Sequence, residues 1–490
     1  MQFISFEFTI FLPIVFILYW LVFNRINTRS SNIFLIIVNY IFYGWWNWKL
    51  CFLLFGVTTV TYSAGALMTY LRENDKNYDT KKRVQNPIWW IHFLTIILCI
   101  GTLGIFKYYD FFVESLSEIL SLAGIKVSLS GLNLILPLGI SFYIFQSLTY
   151  TIDIYQLKIK HTKDIFAYFA FMSFFPQLLS GPIGRASSLL PQYEQKRIFQ
   201  YDLAIRGCWQ ILWGLFMKVC IADRLAVYVD AVYENIALHN GASIALAAVL
   251  YSIQIYCDFA GYSLMAIGIG CLFGIKLDEN FHQPYFATSI GDFWRRWHIS
   301  LSKWFRDYVY IPLGGNRVGV YRNYFNLFVT FLVSGLWHGA AWSFVLWGAL
   351  HGVYQILDKM CKKNLPTLNI KKPIKDAVGI IVTFILVTIA WIFFRLTDIS
   401  MAFKAVNKIF TQFGGGGLYT NLTTMVYGGI SLVLLIIVEI LLEKNKLCSD
   451  SILYNKRRFV IIRYITAILL SLWIISAGVF GGGQFIYFQF

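Results

Sequence analysis

The chain has 490 residues, of which 58% are hydrophobic and only 13% are charged. Soluble domains carry about 25% charged residues, so this composition excludes a soluble enzyme and predicts a polytopic membrane protein. The 41 Lys and Arg residues against 25 Asp and Glu residues give a net charge of +16. These cations stand in short connections between apolar runs, as the positive-inside rule requires, and we therefore expect no nucleic acid partner.

The N-terminal region, residues 1–162, alternates apolar runs with basic connections. The first run, 6–23, approaches the roughly 20 residues that cross a bilayer, and Arg25 and Arg29 follow it. The connection 71–87 is also basic. Because basic connections stay in the cytoplasm, this alternation predicts that the N-terminus lies outside.

The middle region, residues 163–359, is broken by prolines and glycines. They are Pro176, Pro182, Pro191, Pro284, Pro312, Gly181, Gly184, Gly261, Gly314 and Gly315. Irregular backbone at membrane depth survives only where it is buried in protein or lines a wet cavity. We therefore expect a pocket or tunnel in this region.

The C-terminal region, residues 360–490, returns to the simple alternation. Basic connections at 359–375 and 444–458 separate apolar runs, and the last run, 459–479, leads outward. The C-terminus is therefore predicted outside as well. The whole chain, 1–490, is predicted to form one all-α integral membrane domain with roughly 11–13 membrane helices, plus interfacial and re-entrant helices around a central cavity.

Within the middle region, residues 290–312 have the pattern of one amphipathic helix. At 100° per residue, aromatic and aliphatic side chains share one face and polar ones the other. The first set is Phe293, Trp297, Leu301, Trp304 and Tyr308, and the second is Arg295, Ser302, Lys303, Arg306 and Asp307. Such a helix is typical of the membrane interface. Asp292 is placed to cap its start, and His298 falls between the two faces.

His338 stands in the apolar run GLWHGAAWSFVLWGALHG, otherwise free of ionisable side chains until its last turn. At membrane depth such a residue is costly unless it faces a cavity or a partner. Gly335 and Gly339 leave room beside it for a ligand or a close helix. Histidine suits proton transfer near neutral pH, and a hydrogen-bonded packing histidine is the alternative.

Long motifs extend over nearly the whole chain. They are FYIFQSLTYTIDIY at 142–155, FFPQLLSGPIGR at 174–185, YSIQIYCDFAGYSLMAIGIG at 251–270, DFWRRWHISLSKWFRDYVYIPLGGNR at 292–317, GLWHGAAWSFVLWGALHG at 335–352, and FIYFQF at the end. Together they resemble the membrane-bound O-acyltransferase (MBOAT) family, specifically its bacterial branch that acetylates alginate and peptidoglycan.

The resemblance implies the MBOAT fold and transfer of an acetyl group from cytoplasmic acetyl-CoA to a hydroxyl of an extracytoplasmic polysaccharide. Transfer would be direct or through a periplasmic or extracellular acetyltransferase partner. It also implies a location in the bacterial inner (cytoplasmic) membrane, among membrane lipid, with no metal or bound cofactor. His338 and His298 are the catalytic histidines that the resemblance implies.

As a mechanism, we hypothesise that His338 takes the proton of the acceptor hydroxyl, while His298 orients the thioester or stabilises the oxyanion. A transient acyl-histidine is the alternative route, and the sequence does not separate the two. Cations that suit the phosphates of acetyl-CoA are Arg295, Arg296, Lys303, Arg306 and Arg317. Anchoring at lipid head groups is their alternative role. Side chains expected to line the cavity are Asp258, Tyr256 and Trp337. For Asp258, pairing with a nearby Arg or backbone group is equally compatible with the sequence.

Two other functions stay open on sequence grounds. D-alanyl transfer to teichoic acid from a carrier protein would use the same family machinery, and the basic connections do not exclude an acidic carrier. A polysaccharide or small-molecule transporter would also have broken helices and a buried polar residue, although the chain lacks the inverted repeats typical of many transporters.

Overall fold

The computed structural model describes residues 1–74, 86–125, 130–364, 371–414, 422–444, 460–481 and 485–486. Parts of the basic connections 71–87, 359–375 and 444–458, and most of the closing FIYFQF motif, lie outside these residues. Within the described residues all regular secondary structure is helical. The all-α prediction is confirmed.

The chain divides into two compact units. Unit one comprises Met1–Cys208 and Met265–Asp278, and unit two comprises Trp209–Leu264 and Glu279–Phe490. Two helices contribute residues to both units: α11 (Tyr201–Phe216) and α13 (Gly241–Leu272). The division into N-terminal, middle and C-terminal regions stays a prediction.

Unit one contains ten helices of its own among the described residues. They are α1 (Phe6–Leu18), α2 (Asn24–Ile26), α3 (Thr28–Gly44), α4 (Leu50–Asn74), α5 (Pro87–Leu103), α6 (Tyr109–Leu122), α7 (Ile140–Tyr155), α8 (Ile165–Ser173), α9 (Phe175–Leu178) and α10 (Ala186–Glu194). The buried Arg197 guanidinium donates to Ser31 Oγ at 2.9 Å and to Asn32 Oδ1 at 2.7 Å. Because a buried charge needs such partners, these bonds tie the segment after α10 to α3.

Unit two contains the histidines of interest. Its helices are α12 (Asp223–Glu234), α14 (Ile290–Arg296), α15 (Ile299–Phe305), α16 (Val320–His338), α17 (Trp342–Asn364), α18 (Lys372–Arg395), α19 (Ile399–Thr411), α20 (Leu422–Glu443) and α21 (Val460–Ala477). Single π-helical turns, Met217–Ala222 and Arg306–Tyr310, precede α12 and follow α15.

Seven helical stretches among the described residues are long and apolar enough to cross a bilayer. They are Phe6–Ile26, Leu50–Asn74, Pro87–Leu122, Gly241–Leu272, Lys372–Arg395, Leu422–Glu443 and Val460–Ala477. α16 and α17 fall outside this set because polar residues such as Asn323 and Lys362 dilute one end of each. The protein is therefore a multi-pass membrane protein.

α16 and α17 form an antiparallel pair, the α16–α17 hairpin, whose backbones touch. A Cβ atom at Gly335 would lie 2.3 Å from the carbonyl oxygen of Phe344, and one at Gly348 would lie 2.4 Å from that of Phe331. Small residues allow membrane helices to approach this closely. Gly335, expected to leave room for a ligand or a close helix, therefore serves the close helix.

Residues 290–312 do not form one interfacial helix, and that prediction was wrong. α14 ends at Arg296 and α15 begins at Ile299. Between them His298 has the left-handed backbone angles φ 42° and ψ 56°, which no helix interior accommodates. The spacing rule assumed an unbroken helix, and the break at His298 reverses the course of the chain.

Both ends of this segment lie at the Lys-bearing end of the α16–α17 hairpin, where α17 carries Lys359 and Lys362. Ser289 Oγ accepts from Lys362 Nζ at 2.9 Å. Asn323 Oδ1 accepts from Tyr310 Oη at 3.3 Å and from Lys359 Nζ at 3.1 Å. The ring of His298 instead lies 6.2 Å from that of Trp337, which is about 21 Å along α16 from Asn323 at 1.5 Å per residue. α14 and α15 thus form a re-entrant hairpin with His298 at its tip.

The predicted cap and the predicted lipid-facing stripe of this segment also need correction. Ser289, not Asp292, caps α14, because its Oγ accepts the Asp292 N–H at 3.3 Å. Trp297, expected in the acyl boundary, is 1% exposed. The aromatic face of the re-entrant hairpin is therefore buried inside unit two, where aromatic side chains of α17 and α18 surround it.

Candidate active site

His298 is fully buried and is held by Asn280, in the connection that precedes the re-entrant hairpin. Its Nδ1 atom lies 3.0 Å from Asn280 Oδ1. The N–H of Ile299 donates to the Asn280 carbonyl oxygen at 2.9 Å, and the Ser300 hydroxyl donates to Asn280 Oδ1 at 2.9 Å. A left-handed backbone costs about 1–2 kcal/mol outside glycine, and such strain concentrates at functional sites. Asn280 stabilises the strained turn and the ring together.

The orientation of the Asn280 amide decides which nitrogen of His298 carries the proton. The Ser300 N–H lies 3.3 Å from the Asn280 side chain and can only donate. The side-chain atom of Asn280 that faces it is therefore the amide oxygen, Oδ1, and not the amide nitrogen. The His298 Nδ1 atom opposite that oxygen is therefore protonated, and Nε2 of the neutral ring carries the lone pair.

His338 is the last residue of α16 and is 4% exposed. Its ring packs against those of Trp347 at 4.9 Å and Phe394 at 5.3 Å. The helix breaks directly after it at Gly339, where a Cβ atom would lie 2.1 Å from the ring of Phe344. His338 is therefore fixed by tight packing. Access of a donor and an acceptor to it, which acyl transfer requires, stays a prediction.

Trp337 connects the two histidines. Its ring centroid lies 4.8 Å from that of His338 and 6.2 Å from that of His298. The re-entrant hairpin and the α16–α17 hairpin therefore meet where their histidines are. Three residues singled out from the sequence come together at this point.

Asp258 is buried in α13 and makes an ionic cluster. Lys218 Nζ lies 2.6 Å from Asp258 Oδ1 and 2.7 Å from Asp223 Oδ1. The N–H of Ile486 donates to Asp258 Oδ2 at 2.8 Å. Pairing with a cation and a backbone group thus describes Asp258, although the cation is a lysine. The next residue in the chain, Phe259, has its ring centroid 4.7 Å from that of His298. Phe259 therefore lies between the ionic cluster and His298.

Tyr256 lies behind the re-entrant hairpin. Its hydroxyl donates to Glu439 Oε1 of α20 at 2.9 Å, and both side chains are buried. Its ring lies 5.6 Å from that of Tyr285 and 6.3 Å from that of Trp297. Tyr256 therefore supports the wall against which the re-entrant hairpin packs.

The predicted donor-binding cations differ in what already holds them. Arg296, whose side chain is 19% exposed, lies 3.1 Å from Asp292 and 2.7 Å from Glu443 of α20. Arg295 pairs with Asp292 at 3.2 Å but is 70% exposed. Arg306 is likewise exposed and pairs with Asp307 at 2.7 Å. Exposed pairs are weak, so Arg296 serves the structure whereas the other two can still reach a ligand.

Lys303 and Arg317 are the least engaged of these cations. Both side chains are exposed, and no carboxylate of the described residues lies within ion-pair distance of either. Lys303 lies in α15, and Arg317 in the connection from the re-entrant hairpin to α16. These two positions are the better candidates for phosphate recognition.

His351, on α17, is fully buried one turn after Trp347. Its Nδ1 atom accepts the indole N–H of Trp294 at 3.3 Å. Because indole can only donate, the proton of the neutral His351 ring lies on Nε2. Its tautomer is opposite to that of His298, and its bond fastens α14 to α17.

Reasoning from the sequence missed Asn280, Ser300, Lys218 and Glu439. A lone lysine in the run ILWGLFMKVCIA is an ionisable residue among apolar ones, and that signal predicts a buried partner. Asn280 lies in the polar connection ENFHQP, which looks like an ordinary loop. Its contact with His298 depends on the break in the re-entrant hairpin, which the sequence does not mark.

The chain matches the family described as MBOAT, membrane-bound O-acyltransferase, over residues 41–402. This stretch contains both hairpins and Trp337. The chain belongs to the membrane-bound O-acyltransferase family. As a member it is an O-acyltransferase, and the transporter alternative is set aside.

Three relatives show which kinds of acyltransferase the chain is similar to. The chain is 38% identical over 434 residues to the probable alginate O-acetylase AlgI of Pseudomonas aeruginosa, covering 87% of this chain and 79% of that protein. It is 34% identical over 426 residues to the peptidoglycan O-acetyltransferase of Helicobacter pylori, covering 81% and 77%. With the teichoic acid D-alanyltransferase of Bacillus subtilis it shares 33% identity over 251 residues, covering 47% and 62%.

Proposed function

We propose that this O-acyltransferase moves an acetyl group from cytoplasmic acetyl-CoA to a hydroxyl of an extracytoplasmic polysaccharide. The observation that carries the proposal is the shared contact of His298 and His338 with Trp337, far from the Lys-bearing ends of their hairpins. Similarity to acetylating enzymes of alginate and peptidoglycan over most of both chains supports an acetyl donor and a polysaccharide acceptor.

The donor approaches from the Lys-bearing side, which the positive-inside rule assigns to the cytoplasm. Acetyl-CoA carries phosphates, and Arg and Lys bind phosphate through charge-assisted hydrogen bonds. Lys303 and Arg317 hold these phosphates, and the exposed guanidinium groups of Arg295 and Arg306 exchange their partly buried carboxylate partners for them. Arg296, tied to Asp292 and Glu443, holds the hairpin in place instead.

The transfer needs one group that accepts the proton of the hydroxyl and one that stabilises the negative charge that develops on the thioester oxygen. The hydroxyl oxygen attacks the thioester carbon, its proton passes to an imidazole nitrogen, and the carbon–sulfur bond breaks. The imidazolium then returns the proton to the leaving thiolate, so the products are an acetyl ester and free thiol. A general base of this kind typically contributes about 10²–10⁴-fold in rate. His298 and His338 share the two tasks.

In the cell, this enzyme resides in a bacterial inner (cytoplasmic) membrane with both termini outside. At the far end of the α16–α17 hairpin only residues 339–341 connect the helices, which leaves no space there for a catalytic domain outside the membrane. A separate periplasmic or extracellular acetyltransferase that receives the acetyl group, directly or as a relay, fits this arrangement.

The direct test incubates the purified full-length protein with radiolabelled acetyl-CoA and measures thioester turnover. His338→Ala is expected to lower turnover by at least about 100-fold. His282→Ala, a change of an exposed histidine in unit two, serves as the matched control and retains turnover. Equal turnover in His338→Ala and wild type, at equal protein, would refute the assignment.

The donor itself is tested by competition with the D-alanyl alternative. A D-alanyl carrier protein is offered in place of acetyl-CoA, and transfer from each is measured. Turnover of acetyl-CoA alone supports the proposal, whereas turnover of the carrier alone replaces it. The double change Lys303→Gln and Arg317→Gln should raise KM for acetyl-CoA by about 10-fold, while Lys404→Gln, an exposed lysine of α19, leaves it unchanged.

A further inference from the structure

Asn280 contacts His298 through both its backbone and its side chain. It is 1% exposed, and its side-chain oxygen faces three donors: His298 Nδ1, the Ser300 N–H and the Ser300 hydroxyl. Its amide nitrogen donates to Ser263 Oγ at 3.2 Å. Because the amide is engaged on both sides, it cannot rotate to present its nitrogen to the histidine without losing these bonds.

We propose that Asn280 is a positioning residue of the transfer reaction, which holds His298 in the tautomer whose Nε2 atom takes the proton of the attacking hydroxyl. The inference rests on the proposed acyl transfer and deepens it. It reverses the roles expected from the sequence, since a ring with its lone pair on Nε2 accepts there and does not donate to an oxyanion. The charge-supporting task then belongs to His338.

A base oriented by a third group is a recurring arrangement in acyl transfer, and an Asn can be that group. Here the hydroxyl proton moves to Nε2 as the oxygen–carbon bond forms. The resulting imidazolium is stabilised by its Nδ1–H bond to Asn280 Oδ1 and returns its proton to the thiolate as the carbon–sulfur bond breaks. A buried neutral ring is a weak base, but its imidazolium is for the same reason a strong acid toward the thiolate.

His351 provides an internal contrast within the same unit. It is as buried as His298, yet its Nδ1 atom accepts from Trp294, so its tautomer is opposite. Burial alone therefore does not select a tautomer in this protein. The neighbouring hydrogen-bond partner selects it, and at His298 that partner is Asn280.

The experiment measures kcat and KM for acetyl-CoA with full-length protein carrying Asn280→Leu, Asn280→Asp or Ser263→Ala. Asn280→Leu should lower kcat by about 100-fold with little change in KM. Asn280→Asp should recover most of kcat, because a carboxylate oxygen also accepts from Nδ1. Ser263→Ala removes only the bond of the amide nitrogen and should lower kcat less than Asn280→Leu, because Asn280 Oδ1 keeps its bonds to Ser300. A fall of Asn280→Asp to the level of Asn280→Leu would overturn the proposal.

A second measurement remains decisive if Asn280→Leu does not fold. Nitrogen NMR of wild-type protein labelled at histidine reports which ring nitrogen is protonated, and His298→Gln assigns the signal. An unprotonated Nε2 supports the proposal, and a protonated Nε2 overturns it. Absence of acetyl-CoA turnover in wild type would refute the proposed donor, while the NMR result would still decide the tautomer.

Discussion

The re-entrant hairpin and the α16–α17 hairpin each present one histidine, but they hold it by different physics. His298 is held by hydrogen bonds to Asn280 and by a left-handed turn. His338 is held by a helix crossing without side chains between the backbones, at Gly335 and Gly348. One hairpin is fixed by polar bonds in a strained segment, and the other by steric contact.

This difference indicates where the surroundings of each histidine tolerate substitution. Hydrogen bonds determine which nitrogen of a histidine ring is protonated and where the ring points, so substitutions in the re-entrant hairpin should mainly lower turnover. Backbone contact determines the distance between helices, so substitutions at the contact of the α16–α17 hairpin should mainly lower the stability of the fold. Substitutions at four positions test this separation, and they are given in decreasing order of expected effect.

Gly335→Ala should be the most damaging of the four. Its Cβ atom would lie 2.3 Å from a carbonyl oxygen of α17, and because backbone cannot yield locally, the helices must separate. We expect a loss of about 3 kcal/mol or more, measured as reduced yield and a lower midpoint of thermal unfolding in detergent. Gly429→Ala, whose Cβ atom meets nothing within 4 Å in α20, is the matched control and should stabilise by up to about 1 kcal/mol. Equal midpoints for the two variants would show that the contact between the α16 and α17 backbones does not limit stability.

Substitutions at His298 should separate folding from catalysis. His298→Gly removes the imidazole and leaves a cavity but suits the left-handed backbone, so the protein should still fold, without backbone strain at this turn, and lose turnover. His298→Val, β-branched, should lose turnover and also about 1–3 kcal/mol of stability. Thermal unfolding and acetyl-CoA turnover measured on the same samples check this. Identical stability of the two variants would show that the turn is not strained.

Arg296→Gln should loosen the base of the re-entrant hairpin. It removes the ion pairs with Asp292 and Glu443, and charged hydrogen bonds that are partly buried contribute about 1.5–3 kcal/mol. Arg295→Gln, one residue earlier and 70% exposed, should change stability by less than about 1 kcal/mol. The pair is compared by thermal unfolding at low and high salt. A larger loss in Arg295→Gln would contradict the assignment of Arg296 to structure.

Trp294→Phe should have the smallest effect. It keeps an aromatic ring but removes the N–H that His351 accepts, at a cost of about 1 kcal/mol. Turnover should remain, because His351 is assigned a structural bond and not a proton transfer. Trp48→Phe, at an exposed position of unit one, controls for the loss of an indole. A loss of turnover as large as that of His338→Ala would place His351 in the reaction.

The sequence was sufficient for the fold class and for singling out three residues that the structure brings together, His298, Trp337 and His338. Apolar run length identifies membrane helices because the bilayer imposes it, and an ionisable His338 in such a run is conspicuous because it is costly. Trp337 follows from its place in the same motif. Spacing did not reveal the turn at His298, because periodicity describes a helix only as long as the helix continues.

Long-range partners were the second limit. Asp258 was recognised as a buried carboxylate that needs a partner, yet Lys218 lies on another helix and the Ile486 N–H near the end of the chain. Arg296 looked like its exposed neighbours Arg295 and Arg306, and only the position of Glu443 distinguishes it. Such pairings depend on how helices meet, which residue spacing along one helix does not report.

The turn at His298 has a mechanical consequence. Both ends of the re-entrant hairpin lie at the Lys-bearing end of the α16–α17 hairpin, so its tip is coupled to that end through α14, a helix of seven residues and about 10 Å. A thioester donor that binds at that end could move the imidazole of His298 by displacing α14 alone. No helix that crosses the whole membrane would have to shift. Communication toward the opposite side would have to pass through the indole of Trp337 and the fixed pair of helices behind it.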